Sequence, residues 1–154
     1  MIIRNTKEFI GIISDKKILS IDLGKKKVGL AISDTKHTIT TPMKNILRNK
    51  FFHESIQKII LEYNVGAILV GLPLNNDKSL NKISQFIVDI SKNMDLYLIE
   101  NNINLPIYFW DENFSSFEAE TLVRDFYKGN KIDKFAAKIF LDDFFRENTL
   151  LDEK

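Results

Sequence analysis

Between residues 17 and 33 the apolar positions fall into two short runs, one holding Ile18, Leu19 and Ile21, the other Val28, Leu30, Ala31 and Ile32. Gly24 and three lysines separate them. Two such runs joined by a short polar turn predict a β-hairpin over 17–23 and 28–33. A third strand over 39–46 contains Pro42, which places it at a sheet edge, where the missing N–H costs no ladder bond. Phe52, Ile56, Ile59, Ile60 and Tyr63 then recur at helical spacing and predict a helix over 51–63, ended by Asn64. Residues 65–72 are almost unbroken apolar and closed by Pro73, the pattern of a strand covered on both faces. A long helix from 79 to at least 92 follows, then a strand over 106–110 that ends at Asp111-Glu112, and helices over 117–126 and 133–146. The first 16 residues read as a lead. This order predicts a single α/β domain over 1–154, a mixed sheet with antiparallel first strands and parallel later strands, flanked by helices.

Composition narrows the chemistry by exclusion. The chain has 154 residues, 44% hydrophobic and 28% charged, with a formal net charge of +1. That balance excludes a strongly basic nucleic-acid coat protein but allows an acidic pocket among scattered lysines. Cysteine is absent, so disulfides, thiolate zinc sites and a cysteine nucleophile are excluded. The apolar run at 65–70 is far short of the roughly 18–20 residues needed to span a bilayer. The run at 9–13 is too short for a signal-peptide core. A cytoplasmic protein with no membrane partner is expected.

The acids carry the most information. Ligands of open α/β sheets bind beyond the carboxyl ends of parallel strands, and two predicted strands end in carboxylates, Asp22 and Asp111-Glu112. Asp133 precedes Ala136, Ala137, Phe140, Leu141 and Phe144 at helical spacing, so it continues the apolar stripe that should face the sheet. Each has a plain structural alternative: a turn former after a strand, or a helix cap. Together they suggest a carboxylate cluster for a divalent metal, because a carboxylate on an inward stripe is costly without a partner. Carboxylates with no cysteine, and only His37 and His53 far from these motifs, favour Mg²⁺ or Mn²⁺ over zinc. Such ions suit phosphoryl chemistry. Asp34 and Asp77 read as loop formers. Lys25, Lys26 and Lys27 beside Asp22 read equally as a solvated hairpin tip or as a contact for a nucleic-acid backbone.

The segment from Asp22 to Asp34, Asp-Leu-Gly-Lys-Lys-Lys-Val-Gly-Leu-Ala-Ile-Ser-Asp, resembles the opening motif of the YqgF family of pre-16S rRNA nucleases, formerly labelled Holliday-junction resolvases, which have an RNase H-like fold. Three further segments match in order: Val70-Gly71-Leu72-Pro73-Leu74-Asn75, Asp111-Glu112 with Ser115-Ser116 and Ala119-Glu120, and Asp133-Lys134-Phe135-Ala136-Ala137. The resemblance implies metal-binding catalytic acids at Asp22, Glu112 and Asp133, with Asp111 read as a supporting acid behind them or as a strand-end hydrogen-bond partner. It also implies a Mg²⁺- or Mn²⁺-dependent hydrolase that trims the 5′ end of precursor 16S rRNA to leave a 5′-phosphate and a 3′-hydroxyl. RNA of ribosomal precursors is the implied partner, structured DNA a second one, with the protein a monomer or weak dimer. The chain departs from the family pattern at Asn113, where arginine is expected, and at Lys78, where the loop after Leu-Pro usually carries glycine. The segment between Glu120 and Asp133 is shorter and less basic, keeping Arg124, Lys128 and Lys131. The other readings are a junction-resolving DNA endonuclease with the same acids and a non-catalytic RNA-binding module of ribosome assembly. An actin-like kinase shares the Asp-Gly hairpin, but needs two such domains around a nucleotide cleft.

Overall fold

The computed structural model describes residues 1–111 and the helix at 131–152, with side chains for 1–111 and 135–148. The predicted helix over 117–126, Glu112, Asn113 and Phe114 lie outside the described residues. Six strands form one sheet: β1 (Ile2–Ile3), β2 (Lys17–Leu23), β3 (Lys27–Ser33), β4 (Thr40–Leu47), β5 (Val65–Leu72) and β6 (Ile107–Asp111), in the order β1-β6-β5-β2-β3-β4. The hairpin β2–β3 and the pair β3–β4 are antiparallel, whereas β2–β5, β5–β6 and β1–β6 are parallel. Among the described residues four helices flank it: α1 (Thr6–Ile12), α2 (Phe52–Tyr63), α3 (Lys82–Glu100) and α4 (Lys131–Asp152). No described helix is long and apolar enough to cross a membrane.

Both faces of the sheet are covered, which is why β5 needs no polar alternation. Leu19, Ile21, Leu23, Ile68, Val70 and Ile107 pack in one core with the inward residues of α2 and α3. Ile18, Ala31, Ala67 and Leu69 point the other way, to Phe9 of α1 and to Ala137, Phe140, Leu141 and Phe144 of α4. Side chains alternate along a strand, so these two clusters fix which face every strand residue takes. The face beneath α4 carries small residues, Ser20, Ala31 and Ala67, and α4 answers with Ala136 and Ala137. Small residues on both sides let the helix backbone approach the sheet closely.

Two parts of the chain differ from the sequence expectation. The first 16 residues are not a bare lead: β1 pairs with β6, and α1, capped by the Asn5 side chain, buries Phe9 completely. The long helix starts at Lys82, not residue 79, because Asn81 and Ser84 close a reciprocal capping box there, and it runs on to Glu100. The strand with Pro42 is at the edge as expected, and α2 ends at Asn64 in the left-handed conformation (φ 55°).

Candidate functional site

Asp22 is the penultimate residue of β2 and is partly buried. Ile18 faces α4, and two steps of alternation carry Ser20 and Asp22 to the same face. Across β3 its partner is Gly29. On the other side, Ile21 pairs with Val70, which brings Gly71 level with Asp22, and Gly71 in turn pairs with Trp110. The Asp22 carboxylate therefore rises from a row whose two flanking positions carry no side chain, a notch walled by Trp110. The β3–β4 register shifts between Val28 and Leu30, so two residues of β4, Lys44 and Asn45, stand opposite Gly29. Such bulges re-aim side chains beside sites. The Asn45 Oδ1 is buried and has no hydrogen-bond partner among the described residues.

A buried hydrogen bond sets the position of α4 over this row. Ser20, fully buried, donates its hydroxyl to the Ala137 carbonyl at 2.8 Å. Further along α4, Asp142 accepts from the Thr40 hydroxyl, and the Phe145 ring stacks on His37 at 4.7 Å between centroids. His37 is itself held by its Nε2 to the Lys16 carbonyl, at the start of β2. The helix thus runs antiparallel to β2, with its first turn toward the end of the strand where Asp22 lies. Four residues of helix from Ala137 back to Asp133 cover about 6 Å. Two residues of strand from Ser20 to Asp22 cover about 6.6 Å. The Asp133 backbone accordingly comes level with Asp22; its side chain and Glu112 lie outside the described residues. Among the described residues no group of three carboxylates or histidines gathers to hold a metal ion.

Asp111 stands apart from this row. Tyr108 and Trp110 pack with the α4 cluster and Ile107 and Phe109 with the α2/α3 cluster, so alternation turns Asp111 to the α2/α3 face. There its carboxylate is paired with the Lys78 ammonium. Lys78 has φ 68°, a left-handed conformation that favours glycine, so the departure at this position has a visible cost and one visible compensation. Asp34 and Asp77 behave as loop formers. Asp34 accepts from the backbone N–H of Ile39 and Thr38 and from the Thr38 hydroxyl, Asp77 from the N–H and hydroxyl of Ser79. Those bonds hold both carboxyls below their usual range, the Ile39 N–H leading at Asp34 and the Ser79 hydroxyl at Asp77. His53 lies against Phe52 and Tyr97, and its partial burial lowers its pKa, keeping the ring neutral.

Lys25, Lys26 and Lys27 are exposed at the hairpin tip. Gly24 is required beneath them: its N–H donates to the Lys27 carbonyl at 3.0 Å, and a Cβ there would meet that same oxygen at 2.5 Å. Sequence reasoning missed Arg48. Its Nε donates to the carbonyls of Gly24 (3.0 Å) and Lys25 (2.9 Å), and its own N–H donates to Lys26 (2.8 Å). Nothing in the spacing marks it, since its partners are backbone carbonyls more than twenty residues away.

The donors available fit a hard divalent cation better than zinc. Asp22 offers carboxylate oxygen, Asn45 a buried amide oxygen with no partner among the described residues on the strand facing Gly29, and both histidines lie against aromatic rings elsewhere.

Comparison with known proteins agrees with this geometry at the level of fold and family. A protein of Mycoplasma mobile named "Putative pre-16S rRNA nuclease" is 35% identical over 143 residues, covering 88% of this chain and 95% of that one. A protein of the same name from Orientia tsutsugamushi is 35% identical over 149 residues, covering 92% of each chain. Among solved structures, Thermus thermophilus RuvC in complex with a Holliday junction substrate superposes with a TM-score of 0.53 at 11% identity, covering 86% of this chain and 96% of that one. That likeness places the mixed sheet and its helices among RNase H-like folds. The model of the RuvX family, described as Holliday junction resolvase, matches residues 16–147, and the chain belongs to that family.

Proposed function

We propose that this protein is a nuclease that hydrolyses phosphodiester bonds at the 5′ end of precursor 16S rRNA, with Mg²⁺ or Mn²⁺ held by Asp22, Glu112 and Asp133. The observation that carries the reading is the side-chain-free row around Asp22, over which the Ser20–Ala137 bond seats the helix that begins beside Asp133. A phosphodiester needs such room beside an acid, and a divalent ion there supplies an activated water and Lewis-acid stabilisation of the leaving oxygen. Family membership and the name carried by the curated relatives support the nuclease class and the RNA substrate. Asp111 lies on the opposite face, paired with Lys78, so the reading keeps as third ligand Glu112, the acid that the family resemblance implies.

The residues of the chain then divide the work. Asp22 and Asp133 position the ion between β2 and α4, Trp110 limits the notch on the β6 side, and the exposed Lys25, Lys26 and Lys27 draw in the phosphate backbone. The test is cleavage of a precursor 16S RNA fragment with Mn²⁺ by wild type and Asp22→Asn. Wild type should release a 5′-phosphate product and Asp22→Asn none; equal cleavage by both would refute the assignment. The family description favours a second reading, a resolvase of four-way DNA junctions with the same acids. That reading requires a stable dimer and symmetric paired incisions. Salt-dependent RNA binding by the wild type, with no metal-dependent cleavage, would instead select a non-catalytic ribosome-assembly module.

A further inference from the structure

Arg48 is more than a brace for the hairpin. Its Nε is pinned by two carbonyls and its guanidinium lies 4.7 Å from the centroid of the Phe86 ring. Both terminal Nη groups have no hydrogen-bond partner among the described residues. Fixed at Nε and held over an aromatic ring, the guanidinium is a pre-organised fork of donors, the arrangement that suits phosphate oxygens. Beside it opens a cavity of about 320 Å³ lined by Arg48, Asn49, Lys50 and His53 at the start of α2, and by Ile90 and Asn93 of α3. Among the described residues no carboxylate lines it. The Lys50 ammonium sits 5.1 Å from the centroid of the Phe51 ring, and Phe51 is 51% exposed. Phe51 occupies the cap of α2 next to the cavity, and the N–H groups of Phe51 and Phe52 are taken by the side chain and carbonyl of Asn49.

We infer that this cavity is a second anchor for the substrate, holding one phosphate and one unpaired base of a single-stranded RNA segment that continues from the cleavage site. The inference rests on the nuclease reading above and assigns residues that reading does not use. Arg48 is tied to the carbonyl of Gly24, two residues beyond Asp22, and β4 runs parallel to β2, so cavity and notch share one end of the sheet on either side of the hairpin tip. A strand of RNA passing over Lys25, Lys26 and Lys27 reaches from one to the other. The phosphate is taken by the Arg48 Nη groups and Lys50, the base stacks on Phe51, and the two asparagines and the neutral His53 face its polar edge. A single strand fits and a duplex does not, because only an unstacked base can enter a cavity or lie on an exposed ring.

The test is equilibrium binding of a fluorescent single-stranded RNA by the full chain carrying Asp22→Asn, with Phe51→Ala and Lys50→Gln added singly. Both added changes are at exposed side chains, so folding is checked by an unchanged unfolding transition. Phe51→Ala should weaken binding about 5- to 100-fold, the range of one lost base stack. Lys50→Gln should weaken it and flatten the slope of log affinity against log salt by about 0.7, one phosphate contact on a single strand. In the cleaving protein the same changes should raise KM more than they lower kcat. Unchanged affinity in both variants would overturn the inference, as would an equal loss on duplex RNA or a DNA junction. If the wild type cleaves no RNA, the nuclease reading fails on that result, and the binding comparison still decides the anchor.

Discussion

Replacing Ser20 by alanine removes a buried side-chain hydrogen bond between β2 and α4. The hydroxyl is fully buried and has one proton to give; the 2.8 Å bond to the Ala137 carbonyl takes it, while the Ala31 carbonyl at 3.4 Å is a weak alternative. A neutral buried bond of this kind contributes about 0.5–1.5 kcal/mol net, and an acceptor left wholly unsatisfied costs about 1–3 kcal/mol. The Ala137 carbonyl keeps its helical bond to the N–H four residues on, so most of that second penalty does not arise. The expected loss is therefore about 1–1.5 kcal/mol, or a fall in Tm of about 2–6 °C for a chain of this length. Urea denaturation should show a lower midpoint at unchanged slope. The same variant should need more Mn²⁺ for half-maximal cleavage, because α4 carries Asp133. Ala137→Leu attacks the contact from the other side, forcing a larger side chain into a position with no exposure, and should cost about 1–3 kcal/mol. A Ser20→Ala protein within about 0.3 kcal/mol of wild type, with an unaltered metal requirement, would refute the argument that this bond seats the helix.

Gly24→Ala places a Cβ 2.5 Å from the Lys27 carbonyl oxygen; the turn must open and loosen Arg48, at a cost of about 2 kcal/mol in urea denaturation. Lys78→Gly relieves the left-handed strain at φ 68° while giving up an ion pair whose lysine is 57% exposed and therefore worth little. Lys78→Ala loses the pair and keeps the strain, so the glycine variant should be the more stable by about 1 kcal/mol, measured side by side. The hydrogen bonds that Asp34 accepts in the folded chain favour its ionised form and so stabilise the fold while the carboxylate is charged. Because its folded value is depressed below 3.8, the contribution is complete above that value and is lost as the pH falls through the lower folded one. Asp34→Asn should flatten the acid limb of a stability-against-pH curve over that interval, and a limb identical to wild type would contradict the assignment.

The elements that position the site were legible because each carries a local signal. The hairpin shows as two apolar runs around Gly24 and the lysines, β5 as an unbroken run, and α2 as a helical repeat ended by Asn64. The start of the chain was not legible, since β1 has two residues and pairs with β6 more than a hundred positions away; no local pattern records such a partner. The start of α3 was misplaced because Asn75 and Ser79 bond to each other in a closed loop before the capping box begins. Asp22 and Asp133 stood out as candidates, one at a strand end and the other on a helical stripe. The face that Asp111 takes needed the register of β6 and the knowledge that α4 covers the Trp110 side. Arg48 left no trace in the sequence, because a side chain that binds carbonyls has partners of every residue type.

A crystal of the full chain soaked in Mn²⁺ and measured for anomalous scattering tests the central claim most directly. The account predicts a peak in coordination contact with the Asp22 carboxylate, in the notch between Gly29 and Gly71, with Glu112 and Asp133 completing the shell. A peak at any other acid, or the carboxylates of Asp22, Glu112 and Asp133 pointing apart around an empty notch, would contradict it.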